Sequence, residues 1–167
     1  YGSNRLWFEQ QLMSHPRIER CVIVRLPALF GEHMKKNYIY DLLNDRTDFI
    51  REIQLSSYFQ WYDLSQLWKD ISRVLQSDLC VVNFFPEPLS TQMLVKECFP
   101  QYLPIISSPQ GPGVIYDLHT KHALLWNQSG RHMQTSGEVL QRLKQFVADY
   151  VNLNEVNYNR LAVSNIA

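Results

Sequence analysis

Apolar residues along the chain follow two kinds of pattern. Two short, nearly continuous apolar runs rich in Val and Ile, residues 21–26 and 79–85, predict strands buried on both faces, as in a parallel sheet. Elsewhere, apolar residues recur every three or four positions, which is the spacing of one face of an amphipathic helix. The clearest helical stretches are residues 64–75 and 139–151.

The second of these helices carries its own start signal. Thr135 and Glu138 match a capping box, in which a hydroxyl and a carboxylate three residues later satisfy free backbone amides at a helix start. Residues 2–15 and 34–45 predict two further helices.

Proline and glycine mark the predicted loops. Residues 86–88 and 107–113 are rich in these residues, and the second loop precedes a predicted short strand at 114–118. Strands that alternate with helices indicate α/β architecture with right-handed crossovers. Two strands predicted from continuous apolar runs are too few for an independent sheet, so we expect this sequence to belong to a longer chain that supplies more of the sheet.

Composition and charge exclude several classes of protein. The chain has 16 Lys and Arg and 16 Asp and Glu, so it has no overall attraction to nucleic acid or to anionic membranes. Hydrophobic residues make up 46% of the chain, which is enough for a core and excludes disorder. The apolar runs are shorter than the roughly 20 residues of a membrane-spanning helix.

The cysteines indicate the compartment. Cys21, Cys80 and Cys98 are odd in number and widely spaced, without zinc-ligand spacing. Together with the lack of a signal peptide in the sequence, this predicts a reduced, cytoplasmic protein.

Five segments, at residues 1–9, 22–31, 35–43, 59–68 and 82–91, carry motifs in a fixed order. In that order they resemble the C-terminal half of an extended short-chain dehydrogenase/reductase, from the NAD-dependent epimerase/dehydratase family that acts on nucleotide sugars. The resemblance covers residues 1–150. It implies the C-terminal portion of a Rossmann-like parallel sheet, with a small substrate-binding subdomain.

Tyr1 and Arg5 are the predicted catalytic pair. Residues four apart lie one helical turn from each other on the same face, so the guanidinium can stabilise the phenolate and lower the tyrosine pKa from about 10. The phenolate can then exchange a proton with a sugar hydroxyl or alkoxide. The resemblance implies that hydride passes to or from NAD or NADP and that the cation holds the nicotinamide ribose. The family's usual residue at position 5 is lysine.

The resemblance also implies contacts with the cofactor. Leu26, Pro27, Ala28 and Leu29 precede the glycine of a turn, Gly31, that follows the first strand, and they are expected beside the nicotinamide. Many family members have asparagine where this chain has Ala28, which predicts altered handling of the substrate.

Four residues are candidates for substrate binding, and each has a structural alternative. Lys36 and Asn37 could contact phosphates or the sugar, or could be a solvated helix start. Trp61 lies in an aromatic segment that could stack on a sugar ring, or it could belong to the core. Glu87, between two prolines, could be a ligand contact or an ordinary loop residue.

The sequence predicts no metal site. His119 and His122 are the closest pair of candidate ligands, but residues three apart in a strand or turn do not share a face, and a third ligand is not evident. We therefore interpret them as surface residues. Cys98 is interpreted as structural, because the sequence places no base near it.

The cofactor fingerprint Gly-x-x-Gly-x-x-Gly does not occur in the sequence. The favoured hypothesis is therefore the substrate-binding portion of a NAD(P)-dependent nucleotide-sugar epimerase, dehydratase or reductase, with the nucleotide sugar as partner and a homodimer formed through the helix of Tyr1. The alternative is a non-catalytic pseudoenzyme or an interaction domain.

The C-terminal residues of the sequence carry a second resemblance. Residues 160–167 are similar to the first strand of a sugar-phosphate isomerase TIM barrel, with residues 151–159 as a linker. This similarity implies a fused barrel domain after the dehydrogenase module.

Overall fold

Six helices and six short strands make up the regular structure of a computed structural model that describes residues 2–106 and 111–164, with side chains described as far as residue 153. The helices are α1 (Gly2–Ser14), α2 (Tyr38–Leu43), α3 (Thr47–Ile50), α4 (Leu67–Leu75), α5 (Thr91–Cys98) and α6 (Ser136–Ser164). The strands are β1 (Ile23–Arg25), β2 (Ala28–Phe30), β3 (Tyr58–Phe59), β4 (Trp61–Asp63), β5 (Val81–Asn83) and β6 (Leu89–Ser90). Short 3₁₀ turns cover Leu64–Gln66, Pro100–Tyr102 and Ala123–Trp126.

The strands form three separate pairs. β1 lies parallel to β5 with Arg25 opposite Asn83, and β2 lies parallel to β4 with Leu29 opposite Tyr62. β3 and β6 pair in antiparallel fashion, with Phe59 opposite Leu89. The prediction of an α/β protein with parallel strand pairing is confirmed, while its Rossmann-like character remains a prediction.

The two strands foreseen from apolar runs are present but shorter and less buried than expected. β1 and β5 have three residues each; Val82 is buried, whereas Arg25 is exposed. Burial on both faces is therefore wrong for β1. The strand predicted at 114–118 is also wrong, because this segment makes a single bridge between Ile115 and Tyr58.

The helix predicted at 34–45 begins later, at Tyr38. Asn37 precedes it with a φ of 131° and caps it, since its side-chain oxygen accepts a hydrogen bond from the amide of Tyr40 at 3.0 Å. A residue in that conformation cannot continue a helix backwards. The helices predicted at 2–15 and 64–75 are confirmed, with the second beginning as the 3₁₀ turn before α4.

The capping box at the start of α6 is confirmed. The amide of Glu138 donates to the Thr135 hydroxyl at 3.2 Å, and the Glu138 carboxylate accepts from the amide of Thr135 at 2.7 Å. The helix then continues to Ser164. The predicted linker at 151–159 is therefore helical, and so is the first part of the strand predicted at 160–167; residues 165–167 lie outside the described part.

The helix α6 also bears on membrane insertion. It is the longest helix that the structure describes, and neither it nor any other helix in the described ranges combines enough length with enough apolar character to cross a bilayer.

Strand β4 separates two hydrophobic clusters. Consecutive residues of a strand point to opposite faces, so Trp61 belongs to one cluster and Tyr62 to the other. The first cluster joins α2, α5 and α6, and includes Phe30, Ile39, Leu42, Leu89, Leu94, Val139 and Leu143. The second cluster joins α4 and β5 to the loops that follow, and includes Val74, Val82, Phe84, Trp126 and Met133.

A buried carboxylate organises the second cluster. Asp70 in α4 is 3% exposed, and its two oxygens accept from the Tyr62 hydroxyl at 2.7 Å and from the Trp126 indole nitrogen at 2.8 Å. The Arg73 guanidinium lies 3.7 Å from the same carboxylate. Burial raises the pKa of the Tyr62 phenol, and the hydrogen bond to Asp70 raises it further, so the hydroxyl keeps its proton. Asp70 thus ties β4 and the loop at Trp126 to α4.

Replacing Asp70 tests this role. Asp70→Ala leaves two buried donors without an acceptor, at about 1–3 kcal/mol each, so we expect the free energy of unfolding to fall by about 3 kcal/mol. Urea denaturation measures the change. Asp78→Ala, at an exposed position near the end of α4, is the control. Equal denaturation midpoints for the two variants would contradict the proposed importance of Asp70.

Candidate functional site

A groove of about 800 Å³ lies between α1 and the first strands, and we call it the α1–β1 groove. One wall consists of α1 side chains and the other of the chain that runs through β1 into β2. The lining residues are Gly2, Arg5, Leu6, Phe8, Glu9, Leu12, Val22, Ile23, Val24, Arg25, Leu26, Pro27, Leu29 and Phe85. The groove is thus mostly apolar, with charged groups at Arg5 and Glu9 on α1 and at Arg25 on β1.

An ion pair holds α1 against β1. The Arg25 guanidinium, at the end of β1, donates from Nε to Glu9 Oε1 at 3.1 Å and from Nη2 to Glu9 Oε2. This two-point contact fixes both distance and orientation, as planar guanidinium–carboxylate pairs do. The hydrogen bond from Arg25 lowers the pKa of the Glu9 carboxyl from its ordinary value of 4.5, and the charge of Arg5 acts in the same direction.

The predicted catalytic pair is placed in part. Arg5 lies one helical turn before Glu9, is exposed, and lines the α1–β1 groove. Tyr1 lies outside the described residues. The structure therefore places the cation of the pair at the groove, and the position of the phenol remains a prediction.

Three of the four predicted cofactor residues line the same groove. Leu26, Pro27 and Leu29 are half-buried and belong to its wall. Ala28 is exposed and pairs with Trp61 in the β2–β4 ladder, outside the set of groove residues. The chain bends after β2 at Gly31. Its φ is 150° and a Cβ there would lie 2.9 Å from the Cβ of Leu64, so glycine is required.

The two predicted substrate residues before α2 have different surroundings. Lys36 is exposed, so its amine is accessible for a phosphate. Asn37 already makes two hydrogen bonds within the protein, because Nδ2 donates to the Leu29 carbonyl at 2.9 Å while Oδ1 caps α2. Asn37 therefore positions β2 against α2, and its contact with a substrate remains a prediction.

Trp61 is a core residue. It is 2% exposed, its ring packs edge-on against Tyr38 with centroids 4.9 Å apart, and its indole nitrogen donates to the Tyr38 hydroxyl at 3.2 Å. A ring with no free face cannot stack on a sugar, so the prediction of a substrate role is wrong here. The aromatic spacing of the segment was a signal of the core.

Glu87 lies in the loop between β5 and β6, as expected. Its Oε2 accepts a hydrogen bond of 2.9 Å from the amide of Ser136, which is the first residue of α6. The backbone amide of Glu87 donates to the Gln134 carbonyl. Glu87 also lines an open recess of about 390 Å³ with Tyr58, Pro88, Ile115, Asp117 and His132, which we call the Glu87 recess. Glu87 thus has a structural contact and a place at a surface recess.

A cluster that was not predicted from the sequence lies beside this recess. Asp117, His119 and His132 bring one ligand atom each to within 4.8 Å of one another. The hydrogen bond with His132 is the largest cause of the lowered pKa of the Asp117 carboxyl, and the hydrogen bond with His119 lowers it further. His122, the partner considered from the sequence, is not in the group. The Asp-x-His spacing was a usable signal for the first two members, whereas His132 joins only through the fold.

Cys98 has the environment of a structural residue. Burial raises the pKa of its thiol to about 11, so it is protonated at neutral pH. This agrees with the structural role expected from the sequence. Cys21, Cys80 and Cys98 are all free thiols.

The Glu9–Arg25 pair predicts a pH-dependent attachment of α1. Because the Glu9 pKa is lowered in the fold, the pair contributes fully above the ordinary value of 4.5 and is lost as the pH falls through the lower folded pKa. We expect Glu9→Gln to reduce hydrogen-exchange protection of α1 amides at pH 7, and the difference from wild type to shrink at an acidic pH below 4.5, as the Glu9 carboxylate takes up its proton.

Glu19→Gln makes the same chemical change at an exposed position after α1 and should leave α1 protection unchanged at both pH values. A loss of protection in Glu9→Gln that is the same at both pH values would show that the charge of Glu9 is not what holds α1.

Comparison with known proteins gives no family. No protein-family model matches the sequence, and no curated protein matches it significantly.

Proposed function

We propose that this chain is the C-terminal, substrate-binding portion of a NAD(P)-dependent enzyme that epimerises, dehydrates or reduces a nucleotide sugar. One observation carries the proposal. The α1–β1 groove brings Arg5 to the same surface as Leu26, Pro27 and Leu29, which are residues selected from the sequence as the catalytic cation and the cofactor wall.

The position of the groove in the fold supports the proposal. Leu26 and Pro27 directly follow β1, so they lie at the carboxyl end of the parallel β1–β5 pair. Phe85, two residues after β5, lines the same groove. Ligands of open α/β sheets bind outside the carboxyl ends of parallel strands.

The residues present suit one end of the cofactor. Apolar side chains at 26, 27 and 29 can cover a nicotinamide face, and the exposed Arg5 can contact its ribose hydroxyls. The phosphate-binding fingerprint is not in this sequence, so the proposal assigns the remainder of the dinucleotide to chain outside residues 1–167. When bound, the nicotinamide supplies the hydride donor or acceptor.

The role of this chain is proton transfer and orientation. The phenol of Tyr1 would exchange a proton with the sugar oxygen as the hydride moves at the carbon that bears it. Arg5 would favour the phenolate through its charge. It supplies that charge without acting as a proton shuttle, since a guanidinium stays protonated. Lys36 is exposed and supplies a cation for a substrate phosphate.

Variants of the pair test the proposal in the full product of the gene that encodes this chain. Reduction or oxidation of NAD(P) is followed spectroscopically with nucleotide sugars. We expect Tyr1→Phe to lower kcat by about 10²–10⁴-fold, the usual contribution of a general acid or base. Arg5→Ala should lower the rate and raise the pH at which activity rises, because the phenol loses its neighbouring charge.

Two further variants make the test specific. Arg5→Lys keeps the charge and should retain most of the activity, whereas Arg17→Ala removes an exposed arginine beyond α1 and should have no effect. Unchanged turnover in Tyr1→Phe would refute the catalytic role of the tyrosine. An absence of any NAD(P)-linked turnover in the wild-type protein would refute the enzyme proposal.

The surface of α1 supports the homodimer that the sequence predicts through this helix. Leu6, Trp7, Phe8 and Met13 are 50%, 61%, 56% and 49% exposed, which is unusual for large apolar side chains on one helix. The occupant we propose is a second copy of the chain.

The dimer is tested by light scattering over a range of protein concentrations. We expect wild-type protein to dimerise and Trp7→Glu to shift the equilibrium to monomer by at least tenfold. Trp68→Glu, at another exposed tryptophan on α4, is the matched control and should behave as wild type. A wild-type protein that stays monomeric would exclude the dimer.

A further inference from the structure

The cluster beside the Glu87 recess has the composition and spacing of a metal site. Asp117 Oδ1 lies 2.8 Å from His132 Nε2 and 3.4 Å from His119 Nε2. The two imidazole rings are 5.3 Å apart between centroids and inclined at 64°. Both rings therefore direct the same nitrogen toward one carboxylate oxygen.

These separations are close to those of a coordination sphere. Zinc bonds to imidazole nitrogen and carboxylate oxygen are about 2.0–2.2 Å long, so tetrahedral ligand atoms lie about 3.3–3.5 Å apart. The Asp117–His119 separation already has that value, and the Asp117–His132 pair needs to open by several tenths of an ångström. Asp117 is the more exposed side chain of that pair, so it is the group that would rotate.

The backbone that carries Asp117 and His119 is held in place. The intervening Leu118 is bound at both of its backbone groups by Gln60, whose Oε1 accepts from the Leu118 amide at 2.8 Å and whose Nε2 donates to its carbonyl at 2.7 Å. Asn83 Nδ2 donates to the His119 carbonyl at 3.0 Å. Residues two apart in an extended segment have their side chains on the same side of the chain. The hydrogen bonds from Gln60 and Asn83 therefore hold Asp117 and His119 next to each other.

His132 is anchored independently on the other wall. The amide of its neighbour Met133 donates to the Phe85 carbonyl at 3.0 Å, and the Met133 side chain is fully buried. On the other side, the Arg131 carbonyl accepts from the amide of Thr120 at 2.9 Å, which joins the two segments of the cluster. His132 is also the least exposed of the three ligands, with a side chain 14% exposed. Preorganisation of this kind is what a ligand set requires.

We propose that Asp117, His119 and His132 bind a divalent transition-metal ion of the Zn²⁺, Co²⁺ or Ni²⁺ type. Two imidazoles and one carboxylate favour these ions over Ca²⁺ and Mg²⁺, which prefer all-oxygen sites. Three protein ligands leave at least one coordination position for water or a bound ligand. Asp117 and His132 also line the Glu87 recess, so an oxygen-containing ligand in that recess could reach the metal.

The proposal is independent of the dehydrogenase function, because none of the three ligands belongs to the α1–β1 groove. The alternative is a hydrogen-bonded cluster without metal, in which Asp117 only orients the two histidines. The two differ in their response to added metal, since only a coordination site gains stability and a defined stoichiometry.

Co²⁺ and Zn²⁺ titrations of the metal-free chain test the proposal. We expect one Co²⁺ per chain, with a visible absorption band that Zn²⁺ abolishes by displacement, and a rise in Tm on addition of Zn²⁺. His132→Gln and Asp117→Asn should each weaken binding by about tenfold or more. Asp117→Asn is nearly isosteric, so it tests the ligand role if His132→Gln is poorly folded.

His122→Gln is the matched control. It removes an imidazole five residues after Asp117 that is outside the group, and it should bind Co²⁺ as wild type does. Wild-type protein that fails to bind either ion stoichiometrically would overturn the proposal. So would equal binding by wild type and Asp117→Asn, or a loss in His122→Gln as large as that in His132→Gln.

Discussion

The side-chain amide of Gln60 is the contact on which the arrangement of the loops depends. Gln60 is 2% exposed and lies between β3 and β4. Its nitrogen donates to the carbonyls of Pro86 and Leu118, at 2.6 and 2.7 Å, and its oxygen accepts from the Leu118 amide. Two donors and an acceptor on one side chain are a property of a carboxamide, and every one of these groups would be costly to bury unpaired. Gln60 therefore joins two loops that share no strand.

A proline connects the fold to the α1–β1 groove. β1 pairs with β5 and β2 pairs with β4, so the chain changes partner at Leu26 and Pro27. Proline has no amide hydrogen and cannot donate to a ladder, so pairing stops there. Leu26 and Pro27, which are released from pairing, line the groove together with paired residues of β1 and β2. The change of strand partner therefore occurs within the stretch of chain that lines the groove.

Local patterns predicted what depends on local contacts. The capping box at Thr135 and the helical spacing of residues 64–75 need only neighbours in sequence, and both agree with the structure. β2 and β4 were missed because three residues are too few to show alternation. Trp61 was left open between a sugar contact and the core because aromatic composition does not distinguish a pocket from a core. The approach of His132 to Asp117 depends on Gln60 and Met133, which no spacing in the sequence indicates.

Glu87 shows how folding and a surface site use the same residue. Its carboxylate accepts from the amide and hydroxyl of Ser136 at the start of α6, where a negative group is favoured by the helix dipole. That contact holds the wall of the recess in which Asp117 and His132 also lie. The walls of the recess are therefore fixed in part by contacts between polar side chains and backbone, and in part by the pairing of Tyr58 in β3 with β6 and its bridge to Ile115. These contacts keep a precise geometry although the strands are very short. A metal site with few protein ligands needs that precision.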